Sequence, residues 1–184
     1  MKIERLAIPG VLSIQPPRFT DDRGTFHESW SAERYAAAGI AETFVQDNVS
    51  RSAKGVLRGL HYQWPHPQGK LISVLQGEIL DVAVDIRVGS PAFGQWVAVR
   101  LDHTTGTQLY VPPGCAHGFQ ALCEDTVVHY KCTDYYRPEC ERSLLWSDAS
   151  LNIPWPMAPR LSRKDGEALS LAQLNAGSLP HFAP

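Results

Sequence analysis

The sequence predicts an all-β fold, a sandwich or barrel, with short helices mainly at the C-terminus. Fourteen glycines and fourteen prolines cut the chain into short runs rich in β-branched and aromatic residues, as in strands between turns. Helical periodicity is nearly absent between those runs, which excludes βαβ units and leaves sheet packed on sheet. The 184 residues suit a single domain spanning 1–184, because no linker, repeat or low-complexity stretch divides them.

In chain order the candidate strands are VLSI (11–14), TFVQDNVS (43–50), VLRGLHYQ (56–63), KLISVLQ (70–76), ILDVAVDIR (79–87), QWVAVRL (95–101), TQLYVP (107–112), HGFQAL (117–122) and TVVHYKC (126–132). In ILDVAVDIR, Leu80, Val82, Val84 and Ile86 fall on one face. Asp81, Asp85 and Arg87 share the other with Ala83, which predicts one wet face and an antiparallel sheet. SAERYAAAG (31–39) reads as a helix, with Ser31 as N-cap and Gly39 as its stop. The stretch from 163 to 175 has room for one or two short helices.

Composition narrows the function classes. Hydrophobic residues make up 43% and charged residues 20%, with a formal net charge of -2, so the basic excess of a nucleic-acid binder is missing. No apolar run approaches the length of a membrane span. MKIERLAIPGVLSI lacks a signal-peptide layout, so the expected location is cytoplasmic. Cys115, Cys123, Cys132 and Cys140 never form a C-x-x-C pair and read as packed thiols rather than zinc ligands.

Two stretches carry the chemistry. GTQLYVPPGCAH (106–117) resembles the second signature of the cupin superfamily, whose members are double-sheet jelly rolls with a site in the barrel mouth. GVLRGLHYQWPHPQGK (55–70) begins like the first signature, with Gly55 and His61 in place. Gln63 then stands at the second histidine and Gln68 near the glutamate. A neutral amide is a poor ligand beside imidazole or carboxylate, so the expectation is no metal and no cofactor. The plain reading of His61 and His117 is that of hydrogen-bonded structural residues. The alternative is acid–base chemistry, since imidazole titrates near neutrality. Arg58, Lys70 and Tyr130 add cations and a phenol, the set that proton abstraction beside a carbonyl needs.

A closer resemblance follows from FTDDRGTFHESW, FVQDNVSRS, GVLRGLHYQ, QGKLISVLQGEILDVAVDIR, SPAFGQW, VPPGCAHGF, YKCTDYY and LSRKD. Together these are similar to the dTDP-4-dehydrorhamnose 3,5-epimerase family. That resemblance implies a cupin-type jelly roll and an isomerase acting on dTDP-4-keto-6-deoxy-D-glucose through enolates. It implies that His61 is the general base, oriented by Asp165, and that Tyr130 is the general acid. Lys70 and His117 would face the developing enolate, with Arg58 holding substrate nearby. Arg23 and Lys164 are implied near the diphosphate, and Glu28, Gln46, Asn48, Tyr136 and Glu141 at other binding positions.

Without the family, Asp165 reads as a helix cap and Tyr130 as a packed strand residue. Arg58 poses a puzzle, since a separation of three along a regular strand points it away from His61; Gly59 marks a bulge or close backbone approach as the remedy. The family also implies a homodimer with N-terminal strands exchanged, so that Arg23 and Glu28 serve the neighbour's site. Open alternatives are a single-carbon epimerase on a related nucleotide sugar, a metal-dependent cupin oxygenase and a non-catalytic binding module.

Overall fold

A computed structural model describes residues 1–183. In chain order its strands are β1 (Lys2–Arg5), β2 (Leu12–Gln15), β3 (Arg18–Asp21), β4 (Gly24–His27), β5 (Gln46–Ser52), β6 (Leu57–Gln63) and β7 (Lys70–Gln76). They continue as β8 (Glu78–Asp85), β9 (Trp96–Asp102), β10 (Gln108–Val111), β11 (Cys115–Ala121), β12 (Thr126–Cys132) and β13 (Glu141–Ser143). A six-stranded sheet runs β1-β2-β10-β7-β12-β5, a five-stranded sheet runs β13-β6-β11-β8-β9, and β3 and β4 form a separate hairpin. Every pairing between these strands is antiparallel. The fold is the cupin-like jelly roll.

The principal core lies between the two sheets. Ile72, Val74, Leu109 and Val128 from one sheet pack with Ile79, Ala83, Leu101 and Phe119 from the other. A second layer covers the outer face of the five-stranded sheet, where Leu60, Val82, Val84 and Ile86 meet Leu144, Leu151, Ile153 and Leu179 of the C-terminal segment. The outer face of the six-stranded sheet is partly covered by helix α1 (Ala32–Ala37). There Leu12, Ile14, Leu71 and Tyr110 pack against Tyr35 and Ile40.

These layers correct the expected wet face of ILDVAVDIR. Asp81 and Asp85 are fully buried and Arg87 nearly so, because the strand is covered on both faces. Asp85 is neutralised by Arg87 at 2.7 Å and accepts from Ser90 Oγ at 2.6 Å, as a buried charge requires. The apolar face was read correctly.

The nine expected strands all exist, two of them (70–76 and 126–132) with the expected ends and the other seven with shifted ends. The largest shift is at 43–50, where pairing starts at Gln46 and runs to Ser52, because Phe44 leaves the sheet to pack edge-on against Trp30. The strands β1, β3, β4 and β13 were not expected. Their residues are mostly exposed, so they carry no buried alternation and exist through pairing alone.

Ser31 occupies the N-cap of α1 but makes no side-chain cap bond, and Gly39 ends the helix at φ +94°. In the tail, α2 (Arg163–Gly166) is capped by Ser162, whose side chain accepts from the Asp165 N–H. Asp165 therefore lies inside this turn rather than capping it, and its carboxylate is free for another partner.

Candidate active site

A cavity of about 630 Å³ opens between the two sheets, within the size range of small-molecule sites. Every residue expected at the site except Arg23 and Glu28 lines it. The five-stranded sheet supplies one wall, with Arg58 and His61 from β6 and His117 from β11. The six-stranded sheet supplies the opposing wall, with Asn48 from β5, Lys70 from β7 and Tyr130 from β12.

On the five-stranded wall both histidines are tied to carboxylates. His61 Nε2 lies 2.6 Å from Asp165 Oδ1, and the second Asp165 oxygen accepts from Ser162 Oγ at 2.8 Å. Burial pushes the Asp165 carboxyl up, but the hydrogen bonds from His61 and Ser162 and the nearby His61 and Lys164 charges together hold it below the usual aspartate value. Such a pair fixes the imidazole tautomer with a proton on Nε2 and leaves Nδ1 with its lone pair.

His117 Nε2 makes the matching contact with Asp81 Oδ1 at 2.7 Å. Asp81 Oδ2 has no partner among the described residues. Sequence reasoning missed Asp81 as a site residue, having assigned it to solvent. Its one signal is a carboxylate in the middle of an apolar strand.

Gly59 resolves the position of Arg58. It adopts φ +129°, and a Cβ there would stand 2.6 Å from Gly118 Cα, so only glycine allows β6 to approach β11 this closely. The β6–β11 register shifts at this point, which brings Arg58 and His61 to the same cavity despite their spacing. Arg58 Nε donates to Ser52 Oγ at 3.1 Å, which braces the guanidinium at the rim.

The six-stranded wall is built differently. Lys70 sits directly opposite Cys132 across the β7–β12 pairing. Burial depresses its ammonium below the usual lysine value, against the pull of Cys132, Asp81 and Glu141. Burial likewise pushes the Tyr130 phenol up, so it keeps its proton through neutral pH. Neither group has a hydrogen bond or ion pair among the described residues. Beside them, Gln46 Nε2 donates to Asn48 Oδ1 at 3.0 Å and Asn48 Nδ2 to Cys132 Sγ at 3.5 Å. Cys132 is a packed thiol, as expected, that also lines the cavity.

The rim is closed by Glu141, which pairs with Lys164 at 2.8 Å and accepts from Tyr136 Oη at 3.0 Å. Burial opposes ionisation of Glu141, but the hydrogen bonds from Lys164 and Tyr136 and the nearby positive charge together hold its carboxyl below the usual range. Arg23 and Glu28 lie elsewhere, on and beside the β3–β4 hairpin. Arg23 is paired with Asp21 at 2.6 Å and Glu28 with Arg34 at 3.2 Å. That hairpin exposes the rings of Phe19 and Phe26.

The donor set does not fit the metal of a typical cupin. Both imidazole Nε2 atoms are held by carboxylates, and the Gln63 and Gln68 amides are bonded to backbone carbonyls. No group of three His, Cys, Asp or Glu side chains suited to a metal occurs among the described residues. The chemistry this cavity can support is proton transfer at carbon beside a carbonyl, with imidazole and phenol as the transferring groups and a desolvated ammonium for the oxygen.

Jelly roll and cavity together define a cupin-like protein whose site suits proton transfer at carbon. Residues 5–173 match the family model described as dTDP-4-dehydrorhamnose 3,5-epimerase, and the chain belongs to that family. A relative of that name from Pseudomonas aeruginosa is 51% identical over 175 residues, covering 94% of this chain and 97% of its own. The solved dTDP-6-deoxy-D-glucose-3,5-epimerase of Legionella pneumophila, in complex with dTDP-4-keto-L-rhamnose, superposes with a TM-score of 0.96 at 49% identity, covering 100% of this chain and 99% of that one. A 3'-monoepimerase from Streptomyces bikiniensis, in complex with dTDP-quinovose, has a TM-score of 0.90 at 37% identity, with coverage of 96% and 91%.

Proposed function

We infer that the chain inverts C3 and C5 of dTDP-4-keto-6-deoxy-D-glucose, in the formation of dTDP-L-rhamnose. The observation that carries this is the placement of a carboxylate-bound imidazole and a protonated phenol on opposite walls of one cavity that also holds a lysine with no counter-ion among the described residues. The C4 ketone makes the C–H bonds at C3 and C5 acidic. His61 removes a proton, and the imidazolium that forms is stabilised by Asp165. Negative charge moves onto O4, which Lys70 and His117 face and to which Lys70 donates more strongly than to the ground-state ketone. Tyr130 returns a proton from the opposing wall, which inverts the carbon. Once His61 has released its proton to solvent and Tyr130 has regained one, the same cycle operates at the second carbon.

Arg58, Gln46, Asn48, Tyr136, Glu141 and Lys164 hold the sugar and diphosphate in this reading, with guanidinium and ammonium groups suited to phosphate oxygens. The chain acts as a homodimer in which the β3–β4 hairpin of one protomer reaches its partner's cavity. This gives Arg23 and Glu28 their binding role and covers the exposed Phe19 and Phe26. It operates in the cytoplasm as a single domain and needs no cofactor. No helix among the described residues is long and apolar enough to cross a membrane.

Proton NMR of the substrate in deuterated buffer tests the reading. The C3 and C5 signals are expected to disappear with the intact protein and to persist with His61→Ala. Loss of one signal alone would mean a single-carbon epimerase, and retention of both would overturn the assignment.

A further inference from the structure

Gln63 and Gln68 stand where a typical cupin carries metal ligands, and the epimerase chemistry gives them no task. Both line the cavity, and both spend their amides on backbone. Gln63, only 4% exposed, accepts from the Arg137 N–H through Oε1 at 2.8 Å. Its Nε2 donates to the carbonyls of His66 at 2.6 Å and Tyr135 at 3.2 Å. Gln68 Nε2 donates to the Asp134 carbonyl at 2.8 Å. Gln46, from the opposite wall, accepts from the Tyr136 N–H at 2.8 Å. Each of the consecutive residues 134 to 137 thus has a backbone group held by a glutamine side chain.

The residue type is dictated by the partners. An N–H only donates and a carbonyl only accepts, so the clamp at position 63 needs one acceptor and two donors. A carboxylate would leave two carbonyls without donors, and a neutral imidazole would leave one. The carboxamide satisfies all three. At the start of the loop, Gly69 N donates to Thr133 Oγ1 at 2.7 Å and Thr133 N to Gly69 O at 3.0 Å. The segment is therefore zipped to the 64–69 turn along its length. Tyr136 depends on that hold, because its ring is half exposed and its side chain's single hydrogen bond among the described residues is the one to Glu141.

We propose that Gln63 and Gln68 are positioning residues, which clamp residues 134–137 so that Tyr136 forms a fixed part of the substrate-binding wall. The barrel has converted two metal-ligand positions into a backbone clamp. This rests on the reading of the cavity as the sugar-nucleotide site.

The test is a double-mutant cycle on steady-state kinetics with Gln63→Met, Tyr136→Ala and the pair. Gln63→Met alone is expected to raise KM about tenfold with kcat changed less than about twofold, the signature of lost binding rather than lost chemistry. In the Tyr136→Ala background the same change is expected to alter KM less than about twofold. Equal effects in both backgrounds, or a fall in kcat at constant KM, would overturn the proposal. If Gln63→Met does not fold, the cycle with Gln68→Leu decides, with the same pattern at smaller amplitude. An inactive wild-type protein would sink the substrate reading itself, whereas an active one with an additive cycle sinks only the clamp.

Discussion

On the five-stranded wall each imidazole is bonded to a buried carboxylate, at 2.6 Å for His61 and 2.7 Å for His117. On the six-stranded wall burial shifts both Lys70 and Tyr130, yet neither has a partner among the described residues. In the proposed mechanism the difference between His61 and Lys70 follows from when each group does its work. A base must present a defined lone pair before substrate arrives, so its tautomer and orientation are fixed in advance. Groups that serve a charge appearing only during reaction gain by waiting unsatisfied, since the enolate then completes them. A resident counter-ion for Lys70 would compete with that oxygen.

The largest expected effect comes from breaking the base side of this contrast. Asp165→Asn is expected to lower kcat on the order of 10³- to 10⁴-fold with KM little changed, because the amide no longer selects the Nε2–H tautomer. Near-normal kcat would show that the pairing is structural. The same variant should change acid stability. A carboxyl held below its ordinary value of 3.8 contributes stability that is present above that value and lost as pH falls through the lower, folded value. The wild type is expected to lose thermal stability more steeply than Asp165→Asn on acidification, as read by melting temperature against pH.

A smaller effect is expected from the opposing wall. Lys70→Gln is expected to cost on the order of 10²- to 10³-fold in kcat, the usual loss for one donor to a developing oxyanion. Since burial sets the Lys70 ammonium below its ordinary 10.5, the wild-type rate should fall on the alkaline side before that pH. Tyr130, pushed up, remains protonated there. A pH profile flat through 10.5 would assign the limb elsewhere.

Much of this contrast was legible in the sequence, and the illegible parts share a cause. His61 was marked by the spacing of the first cupin signature, Lys70 and Tyr130 by their chemistry beside it and the family resemblance, and Asp165 by the resemblance alone; all reach the cavity. Gly59 announced the local irregularity that turns Arg58 inward. Asp81 was hidden because period-two alternation assigns it to a polar face. That face becomes interior because the six-stranded sheet packs over it, while the C-terminal segment, through Leu151, Ile153 and Leu179, covers the apolar one. Packing between residues so distant in sequence leaves no local pattern. The β3–β4 hairpin was missed for the opposite reason, since it buries almost nothing within its own chain.

The division of labour between the walls is tested most directly by following Tyr130→Phe in deuterated buffer, with solvent exchange by NMR and inversion by product analysis. With the base wall intact and the acid removed, His61 still abstracts and returns protons on its own face. Exchange is expected to continue while inversion falls by on the order of 10²-fold or more. Exchange and inversion falling in parallel, or inversion surviving unchanged, would contradict the assignment of the two steps to opposite walls.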